Sequence, residues 1–162
     1  MAVLKRVFLA TIIICLGVSS SLAAKQPSGQ YIAGLYVVGS PAAQLSTQTE
    51  ARALAAKRAA TLPGAFVLRG QGRSMQPLYP SNTLLVVQPQ PFTQLSRGMT
   101  VVFRNAENRS ITHVLVAKTA NGWRTAGLHN RRSDALPVTA ANFQGVVVAA
   151  YAMIDGATVA SR

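Results

Sequence analysis

The sequence predicts a mostly β fold: a curled antiparallel domain with one helix on its N-terminal side. Three observations predict it. From residue 65 onward, runs rich in β-branched and aromatic residues alternate with clusters of turn formers. Upstream of them lies a single Ala-rich stretch that opens with helix-start chemistry. The chain has 162 residues, 49% of them apolar, which is enough for one domain with a real core and excludes a disordered chain.

The elements follow in order. Tyr31 to Val38 is an apolar run flanked by Gly and Pro, and reads as a strand or a loose lead-in. Thr47 with Glu50 three residues on has the spacing of a capping box. Glu50 to Leu62 is rich in strong helix formers and stops at Pro63-Gly64, which predicts one helix. Ala65 to Leu68 is a short apolar run. Strands are then predicted at Thr83–Val87, Thr100–Arg104, Ile111–Lys118, Gly122–Thr125 and Gln144–Ala152. Turn residues separate them: Pro89 with Pro91, Arg97-Gly98, Asn105 to Asn108, Asn121-Gly122 and Asn130 to Asp134. Short strands at this spacing favour a curled antiparallel sheet.

Residues 1–24 read as a secretory signal or a membrane anchor. Lys5 and Arg6 precede an apolar run from Val7 to Val18, and small residues follow to Ala23 and Ala24. The run is short of the roughly 20 residues of a membrane span. The chain is therefore expected to be exported, to the periplasm or cell envelope. Residues 25–64 form a lead-in with the helix, and residues 65–155 the β domain.

Charge is one-sided: 16 Lys+Arg against 4 Asp+Glu, a net +12. Such a balance suits anionic surfaces, including membranes. The basic residues are scattered and aromatics are only 6%, so nucleic acid is not the expected partner. The single cysteine, Cys15, lies in the leading apolar run, and two histidines with few acids make a poor metal set. No cofactor is expected.

The most informative segment is Gly70-Gln71-Gly72-Arg73-Ser74-Met75-Gln76-Pro77. Glycines before the serine and a proline after it fix a bent backbone that can expose Oγ. A serine needs a base to become a nucleophile. His113 lies inside the strand-like run Ser110–Val116, where alternation puts it on one face with Ile111 and Leu115. Histidine is suited to general-base work near neutral pH.

With these residues in view, the chain resembles the type I signal peptidases and their relatives, the self-cleaving SOS repressors. Four blocks carry the resemblance in order between about Phe66 and Tyr151. They are Gly72–Pro77, Thr83–Val87, Arg97–Arg104 and Thr125–Asp134. His113-Val114 falls where the endoplasmic-reticulum and archaeal branch carries its histidine base. Lys118 lies five residues on and out of register with a lysine base. The resemblance implies a serine endopeptidase that cleaves extended peptides or precursor proteins after small residues. It implies Ser74 as nucleophile, His113 as general base, Asp134 as the acid supporting the imidazole, and the Ser74 N–H in the oxyanion hole. The sequence departs from the family pattern at Met99, Val114, Leu128 and His129. Two alternatives are a catalytically inactive peptidase-fold scaffold of the cell envelope and a basic protein that binds anionic polymers.

Overall fold

A computed structural model describes residues 30–154 of the chain. The segment 1–24, with Cys15, lies outside the described residues. Among the described residues, no helix is long and apolar enough to cross a membrane. The fold is mostly β, with antiparallel pairing throughout except at one strand, and with one α-helix.

The lead-in starts with a minimal hairpin, β1 (Tyr31–Ile32) and β2 (Leu35–Tyr36), turned at Ala33 and Gly34. The continuous strand considered for Tyr31–Val38 is thus split in two. Next comes β3 (Ala43–Ser46), which the residue types alone do not announce. It pairs in parallel with the final strand, β9 (Phe143–Met153). Helix α1 (Gln48–Ala60) begins two residues before the expected Glu50. Thr47 is its N-cap, so the helix starts at the next residue. Glu50 N–H donates to Thr47 Oγ1 and the Glu50 carboxylate accepts from Thr47 N–H, closing the capping box. The small buried residues Ala51 and Ala55 let α1 lie close on Leu84, Val86 and Tyr151 of the sheet.

The remaining strands match the predicted runs to within a residue or two. They are β4 (Phe66–Arg69), β5 (Leu84–Gln88), β6 (Thr100–Arg104), β7 (Ser110–Thr119) and β8 (Gly122–Ala126). A 3-10 turn at Phe92–Gln94 lies between β5 and β6. The sheet runs β4-β5-β9-β6-β7-β8, with β3 also on β9. β9 carries β5 along one edge, and β6 followed by β3 along the other. Register shifts at Val86/Val87 and Val102/Phe103 put bulges beside β9, where the sheet bends.

Strand alternation sorts the core into three clusters. Leu84 and Val86 face α1, while Leu85 and Val87 face a second cluster with Met75, Leu78, Tyr79 and Leu128. Val102 joins that second cluster, and its neighbours Val101 and Phe103 join a third with Leu115, Trp123 and Val138. The lead-in is tied to this body by polar contacts. Tyr79 Oη donates to the Pro41 carbonyl at 2.8 Å, and burial pushes the Tyr79 phenol well above its usual value. Ser40 Oγ donates to the Gly98 carbonyl at 2.7 Å.

Candidate active site

The Ser74 loop spans the gap between β4 and β5, and is pinched shut at its base. Gly70 N–H donates to the Thr83 carbonyl and Asn82 N–H to the Gly70 carbonyl, both at 2.8 Å. Gly72 has φ +87°, and a Cβ there would meet nothing within 4 Å. Glycine is needed at 72 for its dihedral and not for space. The Gln76–Pro77 bond is cis. Buried Met75, Leu78 and Tyr79 anchor the loop from below, so Ser74 is held half-buried above them. Among the described residues, the Ser74 N–H donates to no backbone carbonyl.

His113 sits on β7 opposite Val101 of β6 and is only 6% exposed. The edge of Phe103 packs against its ring at 6.5 Å between centroids. Its Nδ1 lies 2.6 Å from Asp134 Oδ2. With Asp134 ionised, Nδ1–H donates to it, which leaves the Nε2 lone pair as the acceptor. Asp134 is held in turn by Thr125. Thr125 Oγ1 donates to Asp134 Oδ2 at 2.6 Å, and Asp134 N–H donates to the Thr125 carbonyl at 2.8 Å. Thr125 is fully buried on β8, so the carboxylate is fixed by a rigid neighbour. Arg131 and Arg132, which precede Asp134 closely in sequence, are exposed, and His113–Asp134 is the one ion pair among the described residues.

Gly127 is where these parts meet. A Cβ on it would lie 2.7 Å from the Ser74 carbonyl oxygen, 2.8 Å from Asn130 Nδ2 and 2.9 Å from His113 Nε2. No side chain fits there without something shifting, so the Ser74 backbone and Nε2 of His113 close on a bare backbone. His129 N–H donates to the Ser74 carbonyl at 2.8 Å, which fastens this strand-end loop to the serine loop. Ser74 and His113 both line one cavity of about 210 Å³. The structure thus joins His113 to Asp134 directly and brings Ser74 to the same cavity, with no hydrogen bond between Ser74 Oγ and the ring.

Other bases stand apart. Lys118 is exposed near the far end of β7, about 17 Å along the strand from His113. Lys57 is exposed on α1. Among the described residues, no group of acids, histidines or cysteines is placed to hold a metal. Two of the departures from the family pattern are core residues here. Val114 is 0% exposed and Leu128 2%, both in the cluster beneath the serine loop. Met99 packs against the neighbouring cluster, and its sulfur accepts from Ser96 N–H at 3.4 Å. His129 contributes its backbone N–H, and its side chain is exposed. Thr125 and Gly127 have clear structural roles that residue-level reasoning did not assign. The one available sign was that both fall inside the block ending at Asp134.

A serine on a glycine-flanked loop that shares a cavity with a hydrogen-bonded His–Asp pair, on a mostly β sheet, fits a peptidase fold. The chain belongs to the peptidase S24-like family, whose model matches residues 30–148. The match takes in the lead-in from residue 30 onward and all three residues Ser74, His113 and Asp134. No curated protein and no solved structure matches the chain.

Proposed function

We propose that this chain is a serine endopeptidase of the signal-peptidase type, with Ser74 as nucleophile, His113 as general base and Asp134 as its support. The observation that carries the reading is the 2.6 Å His113–Asp134 contact, which leaves Nε2 as the acceptor in the cavity lined by Ser74. As Ser74 Oγ bonds to the scissile carbonyl carbon, its proton passes to Nε2. The carbonyl π pair moves onto oxygen, where the Ser74 N–H is placed to stabilise it. One such donor is worth about 3–4 kcal/mol. The imidazolium, stabilised by Asp134, gives its proton to the leaving amine as the C–N bond breaks. Water then repeats the sequence on the acyl-serine, with His113 again the base.

The cavity also suits an extended peptide. β4 is an edge strand, and Ser110–His113 of β7 carry β6 on one side and no strand on the other among the described residues. Both open edges line the cavity, so a peptide can add as a strand between them. Together with the reading of residues 1–24, this supports cleavage of exported or envelope precursors after small residues as the activity.

A serine-reactive organophosphorus probe tests the reading. The parent protein should be labelled at Ser74, and Ser74→Ala and His113→Ala should not. Equal labelling of Ser74→Ala, in a preparation free of other peptidases, refutes it. The second reading is an inactive scaffold, favoured by the apolar residues at 99, 114 and 128. It predicts a folded parent that the probe does not label.

A further inference from the structure

The open stretch of β7 has two faces, and each meets a cavity. Ile111 pairs with Phe103 and His113 with Val101, so these four side chains share one face of the sheet. Thr112 pairs with Val102, which lies in the core cluster of Leu85 and Met75 on the other face. The cavity of Ser74 is lined from that inner face by Leu68, Leu85 and Met75. A second cavity, of about 280 Å³, lies on the outer face. The residues of β6 and β7 that line it are Phe103, Ile111 and His113, with none from the inner face. Ile111 and His113 line both cavities and so form the wall between them.

The outer cavity borders the gap that a peptide strand would fill. One side of it is the β6–β7 turn, and the other is the segment from Asp134 to Leu136. That segment is tied to β8, because Asp134 N–H donates to the Thr125 carbonyl. β6 and β8 lie on opposite edges of β7, so β8 shares an edge with the open stretch Ser110–His113. The lining is apolar at Phe103 and Ile111, and Leu136, 40% exposed, adds a third large apolar side chain. Asp134 Oδ2 already accepts from His113 and Thr125.

We propose that this outer cavity is a subsite for one large apolar side chain of an extended peptide, carried by the residue that pairs opposite Ile111. The inference rests on the peptide-cleaving reading, in which a strand adds to the open edge of β7. Residues directly opposite each other in paired strands share a face. The residue opposite Ile111 therefore turns outward to Phe103 and Leu136, and its two neighbours turn inward to the cavity of Ser74. Small residues at inward positions are thus compatible with a large apolar one at an outward position.

The test uses the full chain as Ser74→Ala, which binds without cleaving, and short fluorescent alanine-based peptides read by anisotropy. A single Leu or Lys is moved along the peptide. Leu should bind roughly five- to tenfold tighter than Ala at one position, as suits a partly buried side chain, and Lys should not. Leu136→Ser and Ile111→Thr each strip apolar surface from the cavity, and each should bring that advantage below about twofold. Leu45→Ser, which removes an apolar side chain 68% exposed on β3, should leave it intact. A Leu advantage that is equal at every position, or that survives both variants, overturns the proposal in favour of general apolar attraction. A preference for Lys over Leu overturns it in favour of a cation site at Asp134 and Glu107, the two acids of the lining. Peptides that bind with no preference sink the subsite and leave the peptidase reading standing. Failure of every peptide to bind sinks both.

Discussion

A single methyl group at residue 127 should separate the parts of the site. In Gly127→Ala the new carbon would sit 2.7 Å from the Ser74 carbonyl oxygen, 2.8 Å from Asn130 Nδ2 and 2.9 Å from His113 Nε2. Ordinary contact starts near 3.4 Å, so all three overlap by about half an ångström or more. Asn130 is exposed and its amide can swing away. The other two cannot yield freely, because His129 N–H holds the Ser74 carbonyl and Asp134 holds the ring. The strain therefore falls on the serine loop and the imidazole. Overpacking of this kind costs about 1–3 kcal/mol, a fall of roughly 3–8 °C in thermal midpoint for a chain of this size. A shift of about 1 Å between reacting groups lowers their reaction about a hundredfold. Gly72→Ala is the control: its Cβ meets nothing within 4 Å, and only the dihedral at φ +87° opposes it, for about 1 kcal/mol. The assay pairs a thermal melt with the rate of labelling by a serine-reactive probe. Labelling and midpoint both at parent values in Gly127→Ala would refute the convergence of Ser74 and His113 on this backbone.

Other expectations follow from the same geometry. Asp134→Asn should lower peptidase turnover by orders of magnitude with a small change in midpoint, since the amide stabilises no imidazolium; turnover within a few-fold of the parent would reduce the site to Ser74 and His113. Thr125→Val keeps the shape but removes a donor to the half-buried Asp134 carboxylate, which keeps its His113 contact, and should cost about 1 kcal/mol in urea unfolding. His113→Ala should abolish turnover and Lys118→Ala leave it intact. Loss with Lys118→Ala alone would overturn the assignment of the base. Glu50 is held below its ordinary value of 4.5, first by the Thr47 backbone N–H and then by the Thr47 hydroxyl. Its contribution is complete above that ordinary value and is lost as pH falls through the lower folded one. Glu50→Gln should flatten the acid limb of the stability curve, and an unchanged limb would show that the capping box adds nothing measurable.

The strands legible in the sequence were those whose own residues favour extension. Thr100–Arg104 carries Val101, Val102 and Phe103, and its boundaries match the structure. Ala43–Ser46 has no β-branched residue, and it is a strand because β9 offers an edge for it. Pairing with a partner some hundred residues away leaves no local trace. The 3-10 turn at Phe92–Gln94 follows Pro91, which reads locally as turn chemistry and nothing more. Helix α1 was legible because its start is a local chemical device, although Thr47 places that start at Gln48 and not at Glu50.

The site divides along the same line. Ser74 announces itself through its glycines and proline, and His113 through its place in an apolar strand. Asp134 is harder, because its nearest cations in sequence are Arg131 and Arg132, and a turn aspartate beside two arginines ordinarily pairs with one of them in solvent. The structure decides otherwise through the backbone. Asp134 N–H is bonded to the Thr125 carbonyl, and Val138 and Trp123 exchange hydrogen bonds further along, so the segment after β8 folds back onto that strand. With the chain held there, the carboxylate turns inward to the Thr125 hydroxyl and the imidazole, and the arginines stay outside. The selection of His113 over a closer arginine is thus a consequence of strand pairing and not of charge. Unpairing that return segment, for instance with Val138→Pro, should therefore free Asp134 from His113 while leaving every ionisable group in the chain in place. A variant that folds and retains full probe labelling would show that His113 does not depend on Asp134.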